Sequence, residues 1–294
     1  DRVRVIGRRE AKLAELFPML ERRTADAVDV DDVKTAIEGS DVVIDCIGTP
    51  PAEIGIHPIT ARSIASAARA TGASIVHVSS FWAYLPIRYL PLDEKHPRDD
   101  GNRFIVARRE AEDVLLDAGA AIAHLPDFFG PEVHTSTLQR ALEEIVDGKP
   151  VNWIGSRDVE REYAFVPDAT RIIAELARTR EAFGKRWIVP GAGPLSLDRL
   201  VKIAERHTNV RVRTRTAGVL TLKMASLFLP SLREFLPMAP HYVRPISYDG
   251  SRLRALLGEL PVTPYEESVP ATLGWLRARR AGAPVARVDL TRSE

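Results

Sequence analysis

The chain has 294 residues, 45% hydrophobic and 28% charged, which suits one large or two small domains and excludes a disordered chain. With 41 basic against 40 acidic residues the formal net charge is +1, so no global field draws it to nucleic acid or to an anionic membrane. The single cysteine, Cys46, excludes an internal disulfide and fits a reducing compartment. It lies in an apolar run, which predicts a buried small hydrophobe rather than a nucleophile. No apolar run approaches the roughly 18 residues of a membrane helix. Residues 217–229 come nearest, are broken by Lys223, and read as an amphipathic helix. No signal peptide is visible, and a cytoplasmic protein is expected.

In chain order, residues 3–7 read as a short strand and turn. Residues 9–22 carry Leu13, Leu16, Phe17 and Leu20 at helical spacing. A short strand is predicted at 27–29 and a helix at 31–38, ended by Gly39. Residues 41–47 are a continuous apolar run of strand length, as in parallel sheets buried on both faces. A Pro- and Gly-rich loop leads to an alanine-rich helix at 59–70 and a strand from Ser74 ending in Ser79-Ser80. A helix opens at Phe104, and a strand follows at 121–125. Strands alternating with helices predict an α/β fold with a doubly wound parallel sheet.

The second half changes character. Helices are predicted at 135–147, at 167–178 with Pro167 near the first turn, at 196–207 capped by Ser196, and from 263 through Trp275. Short strands fall at 151–153, 163–165 and 186–189. This divides the chain into a sheet domain, 1–131, and a region 132–294 that is mostly a smaller α/β lid with segments returning to the sheet. There is no internal repeat and no metal-ligand spacing, so no metal is expected.

In an open α/β sheet, ligands sit at the carboxyl ends of the strands. The run SIVHVSSFWAY from Ser74, read with FIVARREAE from Phe104, stands at such a place. The pair resembles the Ser-Tyr-Lys site of short-chain dehydrogenases/reductases. The order of the pieces, from about residue 2 to about residue 275, resembles the extended branch, often called NAD-dependent epimerase/dehydratase. That resemblance implies a Rossmann-like sheet and a nicotinamide cofactor. Arg8, with Arg9 and Lys12, stands where an arginine accommodates the 2′-phosphate of NADP, NAD being the alternative; the other reading is a solvated cluster at a helix start. Asp29 and Val30 would flank adenine. Gly48, Thr49 and Ser79 would line the cofactor, and Pro126, Phe128 and Phe129 would lie beside the nicotinamide.

Ser80 would hold the substrate oxygen. Phe104 and Arg108 occupy the Tyr and Lys slots, one helical turn apart. Arg108 can hold a ribose hydroxyl, but Phe104 has no proton to give. Tyr84 is the nearest substitute acid, with a packing aromatic as its other reading; Asp127 is a further candidate. His77 reads as a core residue, and Asp168 as the anchor of the helix that follows it. The run Gly191-Ala-Gly193 is a turn, because Pro194 deletes an N–H that a phosphate would need.

The resemblance also places a first strand and a Gly-rich phosphate turn ahead of Asp1. The chain is therefore expected to be a fragment, lacking the first strand of its sheet, and as it stands to bind NADP(H) weakly or not at all. Two functions follow. One is an oxidoreductase or epimerase/dehydratase-like enzyme with a degenerate Tyr-Lys site, acting on a small carbonyl or hydroxyl substrate. The other is an inactive NADP(H)-binding sensor or scaffold. The partner is a small-molecule substrate, not nucleic acid or membrane, with a homodimer as a possible assembly.

Overall fold

The computed structural model describes residues 1–134, 136–228, 233 and 236–282. Strands β3 (Val42–Asp45), β4 (Ser74–Ser80), β5 (Ala121–Leu125) and β9 (Arg186–Ile188) form a parallel sheet in that order. Strands β1 (Arg4–Gly7) and β2 (Glu21–Thr24) form a separate parallel pair. Among the described residues, the second edges of β1 and β3 pair with no strand.

Side chains alternate across β4 and fill two cores. Ile75 faces α2 (Val30–Ile37), α3 (His57–Thr71) and α4 (Arg103–Asp117), packing with Val33, Ile64, Leu115 and Ile122. Val76 faces the other way, against α6 (Val166–Arg178), with Ala123, Ile172, Leu176 and Trp187. Each such aliphatic side chain contributes about 1.5–3 kcal/mol by leaving water.

The second half adds β6 (Asp127–Phe129), β8 (Arg161–Phe165) and β10 (Pro194–Leu195) in one sheet, and β7 (Val151–Ile154) with β11 (Thr214–Ala217) in another. Helices α5 (Thr137–Val146), α7 (Leu197–Thr208) and α11 (Tyr265–Arg280) pack there around Phe129, Trp153, Tyr163 and Leu273. The short helices α8 (Val219–Ala225), α9 (Ala239–Tyr242) and α10 (Ser251–Leu257) complete the chain. Asp168, in the first turn of α6, accepts from Thr263 N at 2.6 Å and Thr263 Oγ1 at 3.0 Å, and so holds the segment that leads into α11.

Several elements differ from the sequence expectation. The helix expected over 9–22 is only α1 (Glu10–Leu16). Pro18 keeps Phe17 out of the helical region, at φ −131° and ψ 58°. The strand expected at 27–29 lies instead at β2, whose sequence Glu-Arg-Arg-Thr carries no apolar signal. Polar strands of this kind belong at sheet edges. Asp29 instead caps α2, accepting from Asp31 N and Asp32 N. Cys46 is exposed, because β3 ends at Asp45 and Cys46 begins the loop. The helix expected over 217–229 is the shorter α8, and Leu229 lies outside the described residues. Thr135, taken as the start of α5, also lies outside them. Helix α11 continues past Trp275 to Arg280. No helix among the described residues is long and apolar enough to cross a membrane.

Candidate active site

The sheet brings the carboxyl ends of β3, β4 and β5 side by side. Ser80 ends β4, and its Oγ accepts from Trp82 N at 3.3 Å, starting the 3-10 turn Phe81–Tyr84. Helix α4 begins at the Asn102 cap, whose side chain accepts from Phe104 N and Ile105 N. From there it runs back over the same strand ends.

Two adjacent arginines on α4 have opposite surroundings. Arg109 donates to Ala83 O and Leu85 O, both at 2.7 Å, and to Asp100 O at 2.5 Å, pinning the loop to the helix. Arg108 makes no hydrogen bond or ion pair among the described residues, and its Nε is buried. Its guanidinium lies 5.3 Å over the Trp82 ring. Ser80 and Arg108 are thus both held against Trp82. An unmatched buried guanidinium donor is costly, and an oxygen-bearing ligand would relieve it.

A second polar group lies beneath α4. Glu112, one turn beyond Arg108, accepts from Ser79 Oγ, from Arg98 at 2.6 Å and from His124 Nε2 at 3.0 Å. Burial raises its pKa, but His124 and Arg98 outweigh that and bring it to about 2. His77 and Asp45, neighbours across β4 and β3, meet at 2.8 Å. Burial opposes both charges, yet mutual attraction raises the His77 pKa and lowers that of Asp45. His57, at the start of α3, bonds Thr49 Oγ1 at 3.0 Å. Burial, then the charge of Arg108, lowers the His57 pKa to about 4.

The remaining predicted residues are spread around this centre. Arg8 and Arg9 are exposed past β1, and their side chains form no ion pair among the described residues. The carboxylate of Asp29 is occupied in capping α2, and Val30 is exposed. Beside Gly48 the space is open, since a Cβ there would meet nothing within 4 Å. Pro126 is buried and Phe128 exposed. Phe129 is fully buried, 5.5 Å from the Phe165 ring. Phe104 is buried among Ile54, Phe81 and Leu92. Tyr84 is buried as well, its hydroxyl without a hydrogen-bond partner among the described residues, and burial pushes its pKa up. The Gly191 N–H donates to the Glu162 carboxylate at 2.6 Å, and a Cβ at Gly191 would lie 2.1 Å from Tyr163 O. That turn therefore wraps one of the protein's own carboxylates.

Three residues without a sequence signal complete the centre. Trp82 Nε1 donates to Tyr242 Oη at 3.2 Å, and Tyr242 Oη donates to Asp127 at 3.3 Å. Arg161 lies 4.7 Å over the Tyr242 ring. Burial raises the Asp127 pKa, and Arg161 only partly offsets it. Burial raises that of Tyr242 too.

Residues 1–121 match a protein-family model described as NAD(P)H-binding. Among curated proteins, none matches the chain. Solved structures do match. An epimerase from Methanothermobacter thermautotrophicus aligns at TM-score 0.77 and 15% identity, over 95% of this chain and 86% of that one. UDP-glucuronic acid 4-epimerase from Bacillus cereus in complex with NAD aligns at TM-score 0.76 and 13% identity, over 95% and 91%. RMD from Pseudomonas aeruginosa complexed with NADPH aligns at TM-score 0.70 and 16% identity, over 94% and 99%. The chain thus shares a Rossmann-like α/β fold with these solved structures. Residues 1–121 are the part of the chain that is similar to the NAD(P)H-binding model.

Proposed function

We propose that the protein is an NADP(H)-linked oxidoreductase or epimerase/dehydratase-like enzyme acting on a small carbonyl or hydroxyl substrate. The unpaired guanidinium of Arg108, stacked on Trp82 at the strand ends, is the observation that supports this most. Its donors fit ribose hydroxyls, and the exposed Arg8 and Arg9 fit a 2′-phosphate. A bound nicotinamide supplies or takes up the hydride. Ser80 would orient the substrate oxygen.

The proton needs a source other than Phe104, which has none, and other than the buried Tyr84. Asp127 and Tyr242 form the best-placed pair, hydrogen-bonded to each other, and Tyr242 is close enough to Arg108 to act on its charge. A carboxyl with a raised pKa is suited to give a proton to a carbonyl oxygen as hydride reaches its carbon, or to remove one in the reverse direction. Tyr242 would hold Asp127 in place or pass the proton on.

The second reading, an NADP(H)-binding protein without catalysis, is favoured by Phe104, buried where an acid would be needed. One set of measurements on the protein separates them. NADPH binding is followed by fluorescence, and NADPH oxidation across aldehydes, ketones and sugar nucleotides. The enzyme reading expects turnover that Asp127→Asn abolishes while binding persists. It also expects Arg108→Met to weaken NADPH by about tenfold or more, the worth of one charged hydrogen bond. Tight NADPH binding with no turnover on the whole panel selects the second reading. An Arg108→Met variant that binds as well as the parent removes the basis of both.

A further inference from the structure

We infer that a second ligand site, for a small organic anion, lies between the loop after the Phe81–Tyr84 turn and the segment after α9. A cavity of about 200 Å³ opens there. Its apolar floor includes Leu85 and Ile246, both buried. Its rim carries Arg88, Tyr89, His241 and Arg244. Neither Ser80, Arg108 nor Asp127 lines it. Tyr242 turns its hydroxyl toward Trp82 and Asp127, while its neighbour His241 lines the cavity. The two sites therefore lie on either side of one short helix.

The cations of the rim are available. The Arg244 side chain has no hydrogen bond or ion pair among the described residues; only its carbonyl is engaged, accepting from Arg161 at 3.1 Å. Arg88 reaches Asp99 and Asp100 only at 3.6 and 3.8 Å, through exposed carboxylates. Contacts so long and wet hold a guanidinium weakly. The nearby Asp93 carboxylate is taken by Tyr89 Oη at 2.7 Å and by Lys95 N. Two loosely held guanidinium groups above an aliphatic floor match a carboxylate or phosphate monoester with a short apolar body. The volume is below the roughly 300–1,000 Å³ of pockets for drug-sized ligands, so the occupant is small. This site does not depend on the proposed hydride chemistry.

The probes are hexanoate and phenyl phosphate, with hexanol and phenol as neutral counterparts, titrated calorimetrically into the full chain. The anions are expected to bind in the millimolar range or tighter, and the neutral analogues about tenfold more weakly. Arg244→Gln and Arg88→Gln should each weaken the anions by about tenfold, with Arg108→Met leaving them unchanged. Both altered arginines are exposed, so folding is not at stake. The assignment is overturned if the anions do not bind, if neither glutamine variant weakens them, or if Arg108→Met does so instead.

Discussion

At the scale of single residues, the centre is decided by which charges are satisfied. Glu112 is satisfied three times over, by Ser79, His124 and Arg98, and it is fully buried. Because its folded pKa, about 2, lies below the ordinary 4.5, its contribution to stability is present above pH 4.5. That contribution is lost as pH falls through the folded value. Glu112→Gln should therefore do two things. Leaving Arg98 and His124 without their carboxylate should cost about 3–5 kcal/mol at neutral pH. It should also flatten the fall in stability between pH 4.5 and 2. Urea denaturation of both forms across that range checks this, and equal pH slopes would show that Glu112 does not carry the acid sensitivity.

At the scale of elements, β1 and β3 differ from β4 and β5. Ile6 on β1 and Ile44 on β3 remain 40% and 45% exposed, beside strand edges that no described strand covers. Ile75 and Ile122 are fully enclosed. Ile44→Thr and Ile6→Thr should each cost under about 1 kcal/mol, while Ile75→Ala or Ile122→Ala should cost about 2–5 kcal/mol. Chemical denaturation of the four variants would test this, and a large loss at Ile44 would mean that its face is covered. The same contrast explains what the sequence could and could not reveal. Strands β4 and β5 were legible because burial on both faces makes them apolar runs, and β3 because its Val42-Val43-Ile44 run is apolar even though Ile44 stays exposed. Strand β2 was not, because an edge strand can be wholly polar. Arg108 was legible from its one-turn spacing to Phe104, but its lack of a partner is a tertiary fact. Trp82 and Tyr242 meet from positions 160 residues apart, and no local periodicity encodes such a meeting.

At the scale of the whole molecule, Arg161 joins the parts. It stands on β8, is 2% exposed, and donates from Nη1 to His241 O at 2.8 Å and to Arg244 O at 3.1 Å. Its guanidinium also lies over the rings of Phe81 and Tyr242, and its charge acts on Asp127. One side chain thus fixes the segment that carries Tyr242 to one side and Arg244 to the other. Arg161→Met fills much of the same volume but removes every donor. Two backbone carbonyls then lose their partner and Asp127 loses its buried counter-charge, an expected cost of about 3–5 kcal/mol. Without Arg161, burial of Asp127 is opposed only by its hydrogen bonds from Thr137 and Tyr242, so its pKa should rise further and any activity should persist to higher pH in the direction that needs the protonated acid. Hexanoate binding should fall with Arg244 released, whereas NADPH affinity, which the proposed function assigns to Arg8 and Arg108, should hold. Calorimetry with both ligands on the variant, at a temperature where it remains folded, distinguishes the outcomes. Retained hexanoate binding would mean that the α9 segment is placed by its apolar contacts alone, and that Arg161 does not couple the two sites.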